Sequence, residues 1–269
     1  MSNTNGIFKY ASQTNFDNYN RIIPAIPDLL WYKFDSTTYS GTGSTLVNSA
    51  TSGSANNGSF WSANGTIFNT TAGGAPCLRA VSSNNNFVLT TPALNLPSNA
   101  TVGNGYTIAF WVYIPVGSWG NAARIFSLGN SGNTASSTDA NSDAPSMYTG
   151  VSIPGTVAIQ YAGSSYYPDT TSFTGNVWTH VAFTSTVKTA GSSAAGAATS
   201  AYYINGVAKS GFNPNSNCNA YLATGTSYNV GMADHAITEY FYDLRIYGTP
   251  LSASDIQTIY QYGSYLGYK

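Results

Sequence analysis

Residues 240–262 constrain the fold more than any other stretch, because a strand and a helix follow each other there directly. Side-chain character alternates over residues 240–247, which predicts a β-strand with one buried face. Phe241, Asp243 and Arg245 share one parity, and Tyr242, Leu244 and Ile246 share the other.

A short helix is predicted to follow this strand. Ser252 and Asp255 fit a capping box just before an apolar run. Ile256, Ile259 and Tyr260 then fall on one face of a helix. The rest of the chain offers no second stretch with both signals, so we expect one short C-terminal helix in an otherwise all-β chain.

The remaining pattern predicts about a dozen strands separated by Gly, Asn and Pro turns. Residues 29–35 and 178–186 are expected strands, and residues 106–115 carry apolar side chains on both faces, as in a covered central strand. Asn205-Gly206 is the preferred dipeptide of a type I′ hairpin turn. An antiparallel β-sandwich or jelly roll over residues 28–269 follows from this spacing.

Residues 1–27 are predicted to form an extended N-terminal arm rather than part of the sandwich. Pro24 and Pro27 stop any regular element, yet the arm is too apolar for a solvated tail. We expect it to pack on its own domain or on a neighbouring protein subunit, in which case it is a partner-binding segment. Its candidate contact residues are Phe8, Tyr10, Phe16, Tyr19, Ile22 and Ile23.

Charge is scarce and argues against two classes of partner. Charged residues make up 7% of the chain and the net charge is −1. No basic patch suits nucleic acid or an anionic membrane. The sequence shows no export signal and no apolar run of about 20 residues for membrane insertion. Together with a surface rich in Asn, Ser, Thr and Tyr, these features predict that the protein is located in a virion or on an extracellular surface.

Six segments, in order, resemble the concanavalin A-like, laminin G-like jelly rolls and together span about residues 29–262. They are LLWYKFD, APCLRA with FVLTTP, YTIAFWVYIP, NVWTHVAFT, AYYINGVAKS and YFYDLRIYGTPLSASDIQTIY. The resemblance implies two curved antiparallel sheets packed face to face. It also implies a binding or structural module for carbohydrate or protein ligands, sometimes with calcium at the rim, and a wider superfamily that includes glucanases.

The acidic residues do not favour catalysis. Glycoside hydrolysis needs two carboxylates across the scissile bond, but the chain has one glutamate, Glu239, and no two acidic residues stand at i and i+2. Asp234 and His235, with Glu239, form the one acid–imidazole cluster. No G-x-S-x-G elbow appears either. The sequence therefore predicts a protein that is not an enzyme.

Histidine and cysteine each leave two interpretations open. His180 lies mid-strand and is predicted to be a satisfied structural residue, whereas His235 is either structural or a ligand contact in a loop. Cys77 and Cys218 either pair or remain free buried thiols, and the missing export signal favours free thiols.

Loop aromatics are the candidate ligand contacts, because a sugar combines an apolar face with polar edges. The set predicted to lie in loops is Trp119, Asn121, Tyr148, Tyr166, Tyr167, Asp169 and His235. The alternative is that these tyrosine-rich loops contact neighbouring subunits or cap the sandwich. No cofactor is expected. Calcium, if bound, would use Asp139 and Asp143 in the polar loop of residues 130–145.

Two functional hypotheses follow for this non-catalytic jelly roll. The first is a structural, capsid-associated component of a large virus particle that makes protein–protein contacts through the arm. The alternative is a lectin-type, carbohydrate-binding module that uses loops at the rim of the sandwich.

Overall fold

The computed structural model describes most of the predicted domain. The described residues are 15–16, 22–35, 45–62, 66–81, 88–91, 94–97, 101–118, 124–130, 146–149, 157–161, 164–169, 174–190, 198–209, 227–232 and 238–265.

In the described chain the first strands are β1 (Asn15–Phe16), β2 (Ile22–Ile23), β3 (Leu30–Tyr32), β4 (Thr45–Leu46), β5 (Gly58–Ser62), β6 (Thr66–Ala72), β7 (Ala75–Val81), β8 (Val88–Thr91), β9 (Leu94–Asn95) and β10 (Gly105–Tyr113). The later strands are β11 (Arg124–Asn130), β12 (Ser146–Thr149), β13 (Val157–Tyr161), β14 (Ser164–Asp169), β15 (Trp178–Val187), β16 (Ala198–Ile204), β17 (Val207–Ala208), β18 (Ser227–Met232) and β19 (Thr238–Tyr247). A 3₁₀ turn spans Gly53–Asn56, and helix α1 spans Ala253–Tyr265.

Two antiparallel sheets carry strands β3 to β19. The first has the order β17-β16-β15-β10-β19-β7-β6, with β3 also paired to β19. The second has the order β14-β13-β12-β11-β18-β8-β5-β4, with β9 also paired to β18. We call the first the helix-bearing sheet, because α1 packs on it. The predicted all-β sandwich with one short C-terminal helix is confirmed.

The main hydrophobic core lies between the two sheets. Ile108, Phe110 and Val112 of β10 belong to one cluster with residues of the second sheet. Phe110 stacks on Phe126 of β11, with 5.1 Å between the ring centroids. Alternate residues of a strand point to opposite faces, so the aliphatic parity of β10 faces inward and the Thr107, Ala109, Trp111 and Tyr113 parity faces outward.

A bulge in β19 corrects the simple alternation expected there. Ala109 pairs with Arg245 but Trp111 pairs with Tyr242, so β19 uses three steps where β10 uses two. Asp243 has a φ of +54°, a left-handed conformation that Asp tolerates better than most residues. Because of this bulge, Phe241 lies in the inner core with Leu244 and Ile246. Arg245 does not share a face with Phe241, although the alternation in the sequence predicted that it would.

Helix α1 begins with the predicted capping box. The Ser252 amide donates to Asp255 Oδ2 at 3.0 Å, and the Asp255 amide donates to Ser252 Oγ at 3.2 Å. Ile256 and Ile259 then pack on Ala109 and Ala182 on the outer face of the helix-bearing sheet. The helix thus covers the second apolar face that the sequence predicted for β10.

Two glycines let α1 approach the sheet closely. A Cβ added to Gly263 would collide with the indole of Trp111, and one added to Gly206 would lie 2.6 Å from Gln257 Oε1. Gly206 also has a φ of +75°, next to Asn205 at +50°. Positive φ at both residues is the signature of the predicted type I′ turn, which therefore contacts the helix directly.

The described part of the arm contacts its own domain. Asn15–Phe16 and Ile22–Ile23 pair as a two-stranded sheet, and the Tyr247 hydroxyl donates to the Ala25 carbonyl oxygen at 3.1 Å. Pro24 and Pro27 are buried. Phe8, Tyr10 and Tyr19 lie outside the described residues, so their predicted partner contacts stay predictions.

Candidate functional site

Four tyrosines form an aromatic surface on the outer face of the helix-bearing sheet. Tyr113, Tyr240 and Tyr242 come from neighbouring strands β10 and β19, and Tyr260 comes from α1. All four are partly buried, and they pack on an inner cluster that includes Trp111 and Trp178. We call these four residues the tyrosine platform.

The two tryptophans beneath the platform are held firmly. Trp178 Nε1 donates to the Ala72 carbonyl oxygen at 2.9 Å, and Gly73 of the same hairpin lies against the Trp178 indole. Trp111 stacks on Tyr260, with 5.6 Å between the ring centroids and 23° between the planes. The platform therefore lies between the β6–β7 hairpin tip and α1, on a support that is fixed before any ligand arrives.

Tyr113 and Tyr240 meet edge to face, with 5.6 Å between their centroids and 88° between their planes. Beside them lies the end of the sandwich, where Asn176 Oδ1 accepts from the Val116 amide at 3.1 Å and from the Tyr113 hydroxyl at 3.5 Å. Val116 is 68% exposed and Val177 is 41% exposed. Exposed apolar groups thus continue from the platform to the rim.

A buried charged pair adjoins the platform through β19. Arg245 Nε and Trp31 Nε1 both donate to Asp243 Oδ1, at 2.9 Å and 2.6 Å. Arg245 Cζ and Lys33 Nζ lie 4.5 Å and 4.6 Å from the centroid of the Trp31 ring, so both cations contact its π face. We call these four residues the Trp31 cluster.

The charge of Arg245 is stabilised within this cluster. Burial alone lowers the pKa of Arg245, but Asp243 and Tyr247 outweigh the effect of burial and hold that pKa above its usual value. Asp243 and Arg245 thus form a buried ion pair within this cluster.

His180 lies on the same outer face, beside Trp111 in the register of β10 and β15. It is fully buried, as predicted, but the prediction of a satisfied histidine is wrong. Neither imidazole nitrogen has a hydrogen-bond partner among the described residues. Its ring instead contacts Trp111 at 5.2 Å and Tyr260 at 5.9 Å between centroids. Burial, assisted by the positive charge of Arg245, lowers the pKa of His180 to about 3.

The ligand residues expected from the sequence are only partly described. Trp119, Asn121 and His235 lie outside the described residues. Tyr148 lies in β12, paired with Ala158, and not in a loop. Tyr166, Tyr167 and Asp169 lie in β14, so their placement in a loop was also wrong.

The residues of β14 were predicted to lie in a loop because this strand lies at the edge of its sheet, where the sequence need not resemble that of a central strand. Tyrosine favours strands, but Pro168 and the serines argue against a central one. The described β14 pairs with β13 alone and forms an edge of the second sheet, where a proline is tolerated. β12 and β14 belong to the second sheet, whereas the tyrosine platform lies on the helix-bearing sheet.

The described part of the chain gives little support for a metal site or for a reactive nucleophile. No three His, Cys, Asp or Glu side chains come together there as a metal site would require. Asp139 and Asp143, the predicted calcium ligands, lie outside it. Cys77 is a free buried thiol, and burial raises its pKa to about 12, although a hydrogen bond with the Ala72 backbone acts in the opposite direction. Glu239 is fully buried and shares the inward parity of Phe241.

Among the described helices none has the length and apolar character needed to cross a membrane.

Sequence reasoning missed the platform because its members come from two strands and a helix that are far apart in the chain. The signal was present in part. The sequence predicts apolar side chains on both faces of β10, and it predicts Tyr260 on the packed face of the helix. Only the strand register brings Tyr240 beside Tyr113.

Comparison with solved structures finds jelly-roll binding domains. The binding domain of botulinum neurotoxin serotype D superposes with a TM-score of 0.53 at 14% identity, over 88% of this chain and 51% of that one. The type G receptor-binding domain gives 0.51 at 14%, over 88% and 51%. Domain 4 of AbnA, an extracellular arabinanase from Geobacillus stearothermophilus solved in complex with arabinotriose, gives 0.54 at 19%, over 88% and 100%.

The chain thus spans about half the length of the toxin domains and the whole of the arabinanase domain. At these identities the likeness shows the fold alone. Curated protein sequences give no match. The sequence model described as the concanavalin A-like lectin/glucanases superfamily matches residues 88–257, which is well over half of the chain. The chain belongs to that superfamily.

Proposed function

We propose that this protein is a non-catalytic carbohydrate-binding domain and that the tyrosine platform is its binding surface. The observation that carries the proposal is the set of partly buried tyrosines fixed on two buried tryptophans. Aromatic rings give a sugar face a large apolar contact at low cost in side-chain entropy, because the rings are already held in place.

The polar groups around the platform suit the edges of a sugar. Asn176 presents its amide beside Tyr113, and Gln257 lies on α1 one turn before Tyr260. The Tyr113 and Tyr240 hydroxyls can donate or accept. The arabinanase domain solved with arabinotriose has the same fold, which supports a sugar as ligand.

Two carboxylates in the described part of the chain are withdrawn from solvent, which supports a binding role. Glu239, the one glutamate of the chain, is fully buried. Asp243 is buried and paired with Arg245. We therefore expect no release of reducing ends from β-glucan or arabinan.

The test is a glycan array, with arabinotriose added as a soluble probe, applied to the wild type and to the double variant Tyr113→Leu/Tyr240→Leu. Leucine keeps apolar volume and removes the aromatic faces. We expect the double variant to bind roughly 5- to 150-fold more weakly, since each of the two stacking contacts contributes about 0.5–1.5 kcal/mol. Val102→Ser is the matched control, because Val102 is 60% exposed and lies just before Gly105, at the end of β10 opposite Tyr113.

A parallel variant, Trp119→Ala/Tyr166→Ala, tests the rim loops predicted from sequence. If it abolishes binding while the platform variant binds normally, the ligand site is at the rim and the platform proposal is wrong. If the wild type binds no glycan with or without calcium, the carbohydrate proposal itself fails.

The particle-subunit hypothesis stays a prediction. The similar structures are receptor-binding and sugar-complexed domains, which favour the carbohydrate-binding alternative. The hypothesis requires residues 1–27 to be ordered against another subunit. A monodisperse monomer whose arm is cleaved readily by protease would contradict it.

A further inference from the structure

His180 is placed where helix α1 closes over the helix-bearing sheet. Its ring contacts Trp111 on one side and Tyr260 of α1 on the other. Its backbone amide and carbonyl bond to Asn205 at 2.9 Å and 2.8 Å. The adjoining Gly206 in turn lies against Gln257 and Tyr260. The helix and the hairpin turn therefore seal the imidazole from solvent.

This environment is built for a neutral imidazole. Both nitrogens lack hydrogen-bond partners among the described residues, and no carboxylate faces the ring. An imidazolium needs two acceptors, and burial of an unpaired charge is strongly unfavourable. A proton can bind to His180 at little cost only after α1 has moved away and water has reached the ring.

We propose that His180 is an acid-sensitive latch: its protonation releases α1 from the sheet and removes Tyr260 from the tyrosine platform, so that mild acid weakens ligand binding. The helix-release part stands on the geometry alone. The ligand part rests on the proposed carbohydrate-binding function.

Among the described residues, the charge that acts on the latch is positive and disfavours an imidazolium. Arg245 of β19 is the cation that acts on His180, and its counter-ion Asp243 is bonded to it rather than to the imidazole. From α1, Tyr260 contacts the ring, while Asp255 is bonded to Ser252 at the helix start. Trp111 and Asn205, from β10 and the hairpin turn, do not ionise.

The sign of the effect follows from linkage. Burial holds the pKa of His180 at about 3 in the closed state, below the ordinary 6.5 that it regains when exposed. The closed state is thus fully favoured above pH 6.5 and loses stability as the pH falls toward 3. The opening equilibrium of α1 should rise roughly tenfold at pH 5.5 and roughly a hundredfold at pH 4.5, relative to pH 7.5.

The experiment is hydrogen exchange with mass-spectrometric detection on the full chain between pH 7.5 and 4.5, corrected for intrinsic exchange rates. We expect residues 253–265 to lose protection with falling pH while β10 retains it. His180→Phe keeps an aromatic ring and should remove most of this pH dependence, with His180→Gln as the second variant if the first misfolds. The matched control is His235→Gln, which changes the other histidine of the chain and should behave as the wild type.

Equal loss of protection in α1 and β10 would show global unfolding and overturn the latch. So would an unchanged pH dependence in both His180 variants. Arabinotriose binding at pH 7.5 and 5.0 is then measured on the same proteins. Acid release of α1 without sugar binding at either pH would support the latch and contradict the proposed function. Sugar binding that weakens at pH 5.0 equally in wild type and His180→Phe would contradict the link between them.

Discussion

The two faces of the helix-bearing sheet are built from different chemistry. The inner face presents side chains such as Ile108, Phe110 and Val112 to the opposite sheet. The outer face presents Trp111, His180 and the Arg245–Asp243 ion pair, partly covered by α1. Both faces are buried at their centres, but the outer face carries the buried ion pair and a buried imidazole without hydrogen-bond partners among the described residues.

Because of this difference, we expect the two faces to differ in how well they tolerate substitutions. An aliphatic face can lose a methyl group and relax, because its contacts have no preferred direction. Charged and glycine-mediated contacts on the outer face depend on one geometry, and a lost partner leaves a buried group unpaired. We expect substitutions on the outer face to be more costly for the same change in size.

The largest effect is expected at the ion pair. Arg245→Met should lower the free energy of unfolding by about 3–5 kcal/mol, because Asp243 would remain buried without its cation. Asp243→Asn/Arg245→Met should recover part of that loss, since no charge then stays unpaired. Urea denaturation at pH 7 measures both. A double variant no more stable than the single one would show that the strained bulge, and not charge burial, dominates this face.

The next effect concerns the close approach of α1 to Trp111. Gly263→Ala should cost about 1–3 kcal/mol, because the added methyl group collides with the indole. Tryptophan fluorescence during urea denaturation measures the stability of each variant. Gln261→Ala serves as control, because Gln261 is exposed on the same helix. Similar stabilities for the two variants would mean that the helix shifts freely on the sheet.

A smaller effect is expected at the helix cap. Ser252→Ala removes the acceptor of the Asp255 amide and should cost about 0.5–2 kcal/mol. Thermal unfolding followed by circular dichroism is the measurement. Ser254→Ala, which removes a hydroxyl bonded to that of Ser252, should change stability far less. Equal losses would mean that the stabilisation comes from the hydrogen bond between the two serine hydroxyls rather than from the hydrogen bond that the Asp255 amide donates.

The smallest effect is expected on the inner face. Ile108→Val deletes one methylene group from the core and should cost about 0.5–1.5 kcal/mol. Urea denaturation compares it directly with Gly263→Ala, which adds one methyl group on the outer side. If the inner substitution proved the more costly of the two, the proposed contrast between the faces would not hold.

Local patterns in the sequence were enough to predict the sandwich, the capped helix and the Asn205-Gly206 turn. In each case the determinant lies within a few residues, such as Ser252 with Asp255. β18 was harder to recognise, because Ser227–Met232 contains Gly and Asn, which are rare in strands. It nevertheless pairs with β11, β8 and β9. Tertiary pairing overrides weak strand propensity there.

The candidate surface could be predicted only in fragments, because register determines it. The bulge at Asp243 moves Arg245 to the outer face, and no local pattern around a Tyr-Asp-Leu-Arg run marks an extra residue. The missing hydrogen bonds of His180 likewise depend on what Trp111 and Tyr260 bring to its ring. Such features arise from distant segments and appear only once the strands are paired.

The position of β19 has a consequence for how the chain folds. This strand occupies the middle of its sheet, between β10 and β7, and also pairs with β3. The Trp31–Asp243 hydrogen bond joins residues 212 positions apart. During synthesis the earlier strands emerge with a gap where β19 belongs, so their facing edges remain unpaired until residue 247 leaves the ribosome. The protein should therefore fold slowly, with a late step in which β19 inserts between β10 and β7.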